Sequence, residues 1–351
     1  MKLLFVNLSI SWGGGEFWHY QHAVELSKRG FAVTMLTNSD SYLSRKLKKT
    51  DIPFFTLRIT NRSFANPFKH LKIISIIRKV QPDCIILNGS NELKLAIFAS
   101  RLIGVPKIIY RRGNAERVKA HFLNRLLIRN ITHLIANSSF VMSQLRRDFS
   151  QDLPKYQVII PNGIHLNSRH IKADYTASRI AVLGRLSREK GVDMAIQAFD
   201  IIRKEIPGAE LVVIGDGPEA GKLHALSERL GMNGEIRFTG FLEYCTETLS
   251  GCSLLMIPSR WEGFSFARLE AMSLRLPIVA FELDSLKENL CQEPVISFVK
   301  PFDTNALAVK TISLLSSPDQ LRIMGENGYQ HARNIYNLEV ILDQFEKILL
   351  E

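Results

Sequence analysis

The sequence lacks the features of a disulfide-bonded or membrane-spanning protein. Only four of its 351 residues are cysteines, and none stands in a C-x-x-C pair or in a zinc-ligand spacing. No apolar run approaches the roughly 18 residues of a transmembrane helix. The N-terminus has one lysine and a broken apolar run, unlike a signal peptide. We therefore expect a soluble or peripheral protein of a reducing compartment, with Cys84 and Cys252 as buried thiols.

Acidic residues are scarce in the first part of the chain. Residues 1–170 contain 26 Lys and Arg against 9 Asp and Glu, whereas the remainder contains 19 against 25. This asymmetry predicts an anionic partner for the first part, such as nucleic acid, a phosphorylated sugar or an acidic membrane surface. A basic surface that is merely solvated is the alternative. Nucleic acid is disfavoured because the sequence has neither an aromatic-studded RNA-binding strand nor a recognition helix.

Short β-rich runs alternate with helical patterns, which predicts parallel sheets covered by helices on both faces. The alternation stops near residues 160–176 and then resumes. We interpret this as two doubly wound α/β domains at residues 1–165 and 176–330, and a C-terminal helix at 331–351 that returns to the first domain. The predicted strands are 2–8, 31–37, 84–87, 107–110, 133–136, 179–183, 210–214, 236–238, 254–257 and 277–281. The predicted helices are 16–29, 67–79, 91–103, 116–129 and 191–204, followed by a helical segment at 305–350.

Two carboxylates follow the strand predicted at 254–257. Glu262 and Gly263 would open the next loop and helix, where free N–H groups can bind an anion. Glu270 would lie about two helical turns further on, near the same face. Ligands of open α/β sheets bind beyond the carboxyl ends of the strands, and a cleft between two domains is the usual active site. A carboxylate at Glu270 is suited to accept hydrogen bonds from both hydroxyls of a ribose. The alternative is a capping glutamate and a solvated helix glutamate.

Residues 259–272 resemble the Glu-x7-Glu motif of glycosyltransferase family 4, which is close to E-G-F-G-x-x-x-x-E-A-M. The matching residues are Glu262, Gly263, Phe264, Glu270, Ala271 and Met272, and Ser265 replaces the second glycine. The resemblance implies a GT-B fold, with two Rossmann-like domains facing a cleft and a C-terminal helical segment packing across their junction. It also implies retaining sugar transfer, with the first glutamate contacting the donor sugar and the second holding the ribose.

Further family-like elements occur in the expected order. Gly184-Arg185-Leu186, followed by Lys190-Gly191, resembles the element in which an arginine and a lysine grip the diphosphate. Gly215 opens a Gly-Asp-Gly-Pro turn after a strand, and a glycine-rich loop at 13–15 follows the first strand. The residues expected to bind the donor are Gly14, Gly15, Arg185, Lys190, Gly215, Gly263, Phe264, Ser265 and Glu270.

The predicted acceptor side departs from the family. Many members have a histidine at the end of the strand corresponding to 107–110, where this sequence has Arg112. A guanidinium cannot act as a general base, so the departing phosphate would accept the acceptor's proton, and Arg111 or Arg112 would bind an anion. His19, His22 and His121 are possible substitutes for the histidine. The resemblance thus suggests Glu262 and Arg112 as catalytic residues, and Trp12, Glu16, Arg111 and Asn114 as acceptor-binding residues.

Two basic amphipathic segments, residues 67–80 and 118–130, could lie on anionic lipid headgroups. The alternative is that their apolar faces only cover a sheet.

These features together predict a retaining glycosyltransferase that uses a nucleotide diphosphate sugar, with UDP favoured. No cofactor and no metal are expected. The acceptor would be an anionic glycan or glycolipid in bacterial surface polysaccharide or lipopolysaccharide synthesis. The enzyme would be cytoplasmic, either free or peripheral on the cytoplasmic face of the inner membrane. The alternatives are a non-catalytic family member, or a sugar-nucleotide epimerase or phosphorylase on the same fold.

Overall fold

The structure, a computed structural model, describes residues 1–60, 63–166, 173–232, 234–290 and 294–351. Two compact units are present: unit 1 comprises Met1–Asn162 and Ile341–Glu351, and unit 2 comprises Gly163–Val340. The boundary at Asn162 falls within the predicted linker at 160–176, part of which lies outside the described residues, as does Cys291.

Unit 1 is a parallel sheet with helices packed against it. Its strands are β1 (Lys2–Asn7), β2 (Ala32–Thr37), β3 (Phe54–Thr56), β4 (Cys84–Leu87), β5 (Lys107–Arg112), β6 (His133–Ala136) and β7 (Tyr156–Ile159). Its helices are α1 (Gly14–Lys28), α2 (Tyr42–Leu47), α3 (Pro67–Val80), α4 (Ser90–Ile103), α5 (Phe122–Arg129) and α6 (Ser139–Phe149). The strand order is β3-β2-β1-β4-β5-β6-β7, and Val6 of the central β1 lies between Leu36 and Leu87. All four residues of β4 are buried, as expected for a sheet covered on both faces.

Unit 2 repeats this plan. Its strands are β8 (Arg179–Leu183), β9 (Glu210–Ile214), β10 (Ile236–Gly240), β11 (Leu254–Ile257), β12 (Ile278–Phe281) and β13 (Ile296–Val299), in the order β10-β9-β8-β11-β12-β13. Its helices are α7 (Val192–Glu205), α8 (Ala220–Arg229), α9 (Thr246–Ser250), α10 (Phe266–Ser273), α11 (Asp284–Lys287), α12 (Thr304–Leu315) and α13 (Pro318–Ile335). Helix α14 (Leu338–Leu350) begins in unit 2, and its residues from Ile341 onward belong to unit 1.

In both sheets the strand order reverses beside the first strand, between β1 and β4 in unit 1 and between β8 and β11 in unit 2. Loops that leave such a switch point diverge to opposite faces of the sheet and open a crevice between them, which is where open α/β sheets bind ligands. The fold therefore marks the loops after β8 and β11 in unit 2, and those after β1 and β4 in unit 1, as positions for a site.

The end of α14 packs against other residues of unit 1 and is hydrogen-bonded to them. Phe345 is fully buried, and its ring meets those of Trp18 and His22 edge-on at centroid distances of 5.4 and 5.5 Å. Arg29 donates to Asp343 at 2.6 Å and to Glu346 at 2.9 Å. Lys107 Nζ donates to the carbonyl oxygens of Ile348 and Leu349, which satisfies acceptors that a helix C-terminus leaves open.

The structure differs from the predicted elements in the start of one helix and in three strands that the sequence did not indicate. The helix predicted at 116–129 begins only at Phe122, because His121 caps it and the backbone before it turns where Glu116 N donates to Asn114 Oδ1 at 2.8 Å. Strands β3, β7 and β13 were not predicted. Each has only three or four residues and ends its sheet, where exposure interrupts the apolar pattern.

Candidate functional site

The loops at the carboxyl edge of the unit 2 sheet bring Lys190 and Glu262 together. Lys190 ends a 3-10 turn (Arg188–Lys190) after β8, and Glu262 lies in the loop after β11. Lys190 Nζ donates to Glu262 Oε1 at 2.7 Å, and Ser259 Oγ donates to the same oxygen at 3.0 Å. The two residues are 72 positions apart in sequence, so the switch point of the sheet, rather than local structure, creates this pair.

The pair is largely shielded from solvent, with 6% of the Glu262 side chain and 23% of the Lys190 side chain exposed. Burial lowers the pKa of Lys190, but the charge of Glu262 and the hydrogen bond to it outweigh burial, so the pKa is raised. Lys190 is therefore a stable cation in a partly desolvated place, where a fixed charge interacts more strongly with a ligand than it would in water.

Glu270 lies next to a thiol. It belongs to α10, which begins at Phe266, so Glu262 and Gly263 precede the helix and do not share a helical face with Glu270. Cys245 Sγ donates to Glu270 Oε2 at 3.2 Å. Burial raises the pKa of Glu270, and the thiol hydrogen bond offsets only part of that shift. Burial and the charge of Glu270 also raise the pKa of Cys245, which keeps the thiol protonated as a donor.

The other predicted donor residues of unit 2 divide into backbone and side-chain roles. Gly215 has a φ of +139°, and a Cβ there would collide with the carbonyl oxygen of Gly184, so this turn requires glycine. Ser265 is the N-cap of α10 and accepts from Arg268 N at 3.4 Å. Phe264 is buried, with its ring edge-on to Tyr336 at 5.5 Å. Arg185 is exposed, and no hydrogen bond or ion pair joins its side chain to any described residue.

In unit 1, Arg111 and Arg112 end strand β5. The Arg111 guanidinium donates to Asn88 Oδ1 at 3.2 Å and to Asn162 Oδ1 at 2.5 Å, and it lies 4.8 Å from the centroid of the Trp18 ring. Burial lowers the pKa of Arg111 to about 9; the charge of Glu16 opposes this shift and that of Arg112 adds to it. Arg112 is 8% exposed and donates to the carbonyl oxygen of Glu116.

The remaining predicted residues of unit 1 surround the start of α1 and the end of β5. Gly14 begins α1, and a Cβ on Gly15 would press on Asn88 Nδ2 at 2.6 Å. Glu16 lies in the first turn of α1. Asn114 is exposed.

Trp12 packs among aromatic side chains. Its ring centroid lies 5.0 Å from that of Tyr42, and Lys46 Nζ lies 5.3 Å from it. The aromatic packing fixes the loop that leaves β1.

None of the suggested substitutes for the family histidine is placed as a base. His19 and His22 are fully buried, and burial lowers both pKa values, that of His22 to about 3. His121 instead accepts from Asn124 N as the cap of α5.

Sequence reasoning missed three buried or paired groups. Glu92 is 4% exposed and accepts from Leu8 N at 2.7 Å, and burial raises its pKa. The thiol of Cys245 and the guanidinium of Arg260 also contact site residues or the turns that carry them. No motif marks any of the three, because their partners are distant in sequence.

In the parts of the chain that the structure describes, no group of three His, Cys, Asp or Glu side chains is arranged to hold a metal ion. Nor is any helix of the described ranges both long and apolar enough to cross a bilayer. Cys84 and Cys252 are buried free thiols, which confirms that prediction.

Two family models match adjacent parts of the chain. Glycosyltransferase Family 4 matches residues 12–168, and Glycosyl transferases group 1 matches residues 167–331. An exopolysaccharide phosphotransferase of Streptomyces coelicolor is 30% identical over 55% of this chain and 20% of its own length. An alpha-D-kanosaminyltransferase of Streptomyces kanamyceticus is 29% identical over 49% of this chain and 45% of its own. The chain thus spans less than half the length of either relative.

Among solved structures, HepE of Anabaena in complex with UDP and glucose superposes with a TM-score of 0.83 at 19% identity, covering 100% of both chains. A structure of the same protein holds UDP-glucose. The fold is that of the GT-B glycosyltransferases, with two Rossmann-like units, as the sequence predicted. The family matches and the relatives support a glycosyltransferase.

Proposed function

We propose that this chain is a retaining glycosyltransferase that takes a sugar from a nucleotide diphosphate sugar, with UDP as the favoured nucleotide. The observation that carries the proposal is the contact between Lys190 Nζ and Glu262 Oε1 at 2.7 Å at the switch point of the unit 2 sheet. The UDP and UDP-glucose complexes of HepE support the choice of nucleotide.

Each donor residue has a separate task in this proposal. Glu262 contacts the sugar, Glu270 accepts from the ribose hydroxyls, and Arg185 and Lys190 grip the diphosphate. When the glycosyl–phosphate bond breaks, the diphosphate gains negative charge, and fixed cations stabilise that charge as it develops. No residue of the chain is needed as a base, because the departing phosphate accepts the proton of the acceptor hydroxyl. No metal is required, so EDTA should leave the rate unchanged.

The acceptor in this proposal is an anionic glycan or glycolipid of bacterial surface polysaccharide or lipopolysaccharide synthesis. Its support is the excess of basic residues in residues 1–170, 26 against 9 acidic. Arg111 and Arg112 add to it, because among the described residues neither forms an ion pair. A buried charge without a hydrogen-bonded counter-ion is costly, and an anionic ligand would add to the partial compensation that the charge of Glu16 gives Arg111.

A thermal-shift panel with UDP, GDP and ADP and their sugars tests the donor. A ligand that binds only the folded state at 100 times its Kd should stabilise it by about 2.7 kcal/mol. A rise in Tm with one nucleotide supports the proposal, and no rise with any of the three would remove its basis.

Peripheral attachment to the inner membrane would use α3, on which Phe68 and Leu71 are 77% and 60% exposed beside Lys72 and Arg78. The segment at 118–130 is a weaker candidate, because Arg125 and Arg129 both pair with Asp152. Phe68→Asp should reduce co-sedimentation with anionic liposomes, whereas Ile323→Asp, at a residue of unit 2 that is 57% exposed, should not. Sedimentation that does not depend on anionic lipid would argue against attachment.

A further inference from the structure

Arg260 joins the loop that carries Glu262 to the turn that carries Lys190. Its Nη1 donates to Asp193 Oδ1 at 2.8 Å, and its Nη2 donates to Asp193 Oδ2 at 2.7 Å. Nη1 also donates to the carbonyl oxygen of Arg188 at 2.9 Å. A bidentate pair fixes orientation as well as distance, because both N–H groups of a rigid fork must align with one carboxylate.

Backbone contacts join the same loop and turn. Arg260 N donates to the carbonyl oxygen of Glu189 at 2.7 Å. Gly191, at a φ of +65°, approaches Pro258 so closely that a Cβ would collide with its carbonyl oxygen. The loop at 258–262 and the turn at 188–193 therefore contact each other at several positions. Beside the Lys190–Glu262 pair, Arg260 supplies their side-chain contacts.

The Arg260–Asp193 pair is part-buried, with 21% and 37% of the two side chains exposed. The hydrogen bonds from Arg260 lower the pKa of Asp193, and those same bonds raise the pKa of Arg260. Both shifts favour the charged form of each group, so the pair does not depend on a proton being gained or lost near neutral pH.

We propose that Arg260 is a positioning residue, and that its bidentate pair with Asp193 sets the separation between the Lys190 ammonium and the Glu262 carboxylate. The inference rests on the proposed function, in which these two groups serve the diphosphate and the sugar. Without the pair, the turn and the loop keep their backbone contacts and the Lys190–Glu262 contact, but lose the bidentate connection between Arg260 and Asp193. A displacement of about 1 Å at such a site can cost a hundredfold in rate.

The variants Asp193→Asn and Arg260→Gln test this positioning role. The matched control is Glu326→Gln, which removes the Arg275–Glu326 pair of the same unit, also at 2.7 Å and with 20% and 47% of its side chains exposed. Calorimetry with UDP and UMP as probes should give about a tenfold loss of UDP affinity in the two test variants. UMP affinity should be nearly unchanged, because UMP lacks the second phosphate. Glu326→Gln should bind both probes as the wild type does.

A second readout needs no nucleotide. Acylation of Lys190 by an N-hydroxysuccinimide acetate, followed by mass spectrometry, reports how firmly the ammonium is held against Glu262. Labelling should be several-fold faster in Asp193→Asn and Arg260→Gln, unchanged in Glu326→Gln, and intermediate in Arg260→Lys, which keeps the charge but not the fork.

The outcomes separate this inference from the proposed function. Wild-type protein that binds none of UDP, GDP and ADP contradicts the proposed function, and the labelling rates then decide on positioning alone. If Asp193→Asn and Arg260→Gln match Glu326→Gln in both readouts, Arg260 does not position Lys190. Equal losses of UDP and UMP affinity, with unchanged labelling, would likewise overturn the proposal, because they indicate general destabilisation.

Discussion

Charged side chains at the carboxyl edges of the two sheets have different partners. In unit 2, two cation–carboxylate pairs lie at the edge, Lys190 with Glu262 and Arg260 with Asp193, while Arg185 is exposed. In unit 1, Arg111 and Arg112 donate to amide and carbonyl oxygens, and within the described ranges neither forms a hydrogen bond or ion pair with a carboxylate. The charge of Glu16 acts on Arg111 without such a contact. Two units with the same topology thus hold cations at their edges differently, through paired carboxylates in unit 2 and through neutral acceptors in unit 1.

The two edges differ in how their charged side chains are held before a ligand binds. Groups that are already paired are held in place before a ligand arrives, so unit 2 needs little rearrangement. In unit 1 the Arg111 guanidinium is held by the Trp18 ring and two asparagine side chains. The position of this guanidinium therefore depends on the packing of Trp18, whose ring in turn contacts Phe345.

The largest expected effect tests this packing. Phe345→Ala removes a fully buried ring that contacts Trp18 and His22, and should cost about 3–5 kcal/mol of unfolding free energy. Urea unfolding followed by Trp fluorescence measures the loss. Leu350→Ala in the same helix, at a residue 67% exposed, is the control and should change little. Similar losses from both would contradict a stabilising role of the buried Phe345 ring.

The next largest effect is expected at the Lys190–Glu262 pair of unit 2. Glu262→Gln keeps the shape of the side chain but removes the charge that Lys190 meets, and should lower kcat about a hundredfold, or about 2.7 kcal/mol. Nucleotide affinity should change far less. Glu228→Gln, away from the edge on α8, is the control. An unchanged kcat in Glu262→Gln would contradict the role of the pair.

Glu270→Gln should have two effects of opposite sign. The folded-state pKa of Glu270 is raised above its ordinary value of 4.5, so the folded state binds more protons between the two values and unfolding free energy falls as pH rises through that window. Glu270→Gln removes this loss, so the Tm of the free protein should rise at pH 7.5, and the gain should shrink as pH falls below 4.5.

UDP affinity should fall about tenfold in the same variant, because the ribose hydroxyls lose a charged acceptor. Thermal scans at several pH values and calorimetry measure the two effects. Equal UDP affinity in wild type and variant would remove Glu270 from the nucleotide site.

The smallest effect concerns the thiol beside Glu270. Cys245→Ala removes the donor at 3.2 Å and should weaken UDP binding about threefold. Cys245→Ser should restore most of this affinity, because a hydroxyl can still donate. Cys252→Ala is the control, since that thiol donates to the carbonyl oxygen of Thr248 and not to Glu270. If Cys245→Ser bound UDP no more tightly than Cys245→Ala, the lost hydrogen bond would not be the cause of the weaker binding.

Sequence reasoning recovered the fold because buried parallel strands such as β4 and β11 are continuous apolar runs. It also predicted donor-site roles for Lys190, Glu262 and Glu270, because they lie in motifs with recognisable spacing. It did not find the Cys245–Glu270 or Arg260–Asp193 contacts, which join residues 25 and 67 positions apart. Such pairs are set by strand order and loop shape, which a linear pattern does not encode.

The membership of Ile341–Glu351 in unit 1 has a consequence for biosynthesis. During translation, residues 1–162 emerge before unit 2, whereas the Phe345 ring that contacts Trp18 emerges only after all of unit 2 has been made. At about 5–20 residues per second this interval is roughly 10–40 seconds. For that time the nascent chain exposes the apolar surface around Trp18, which makes it a candidate for chaperone binding on the ribosome.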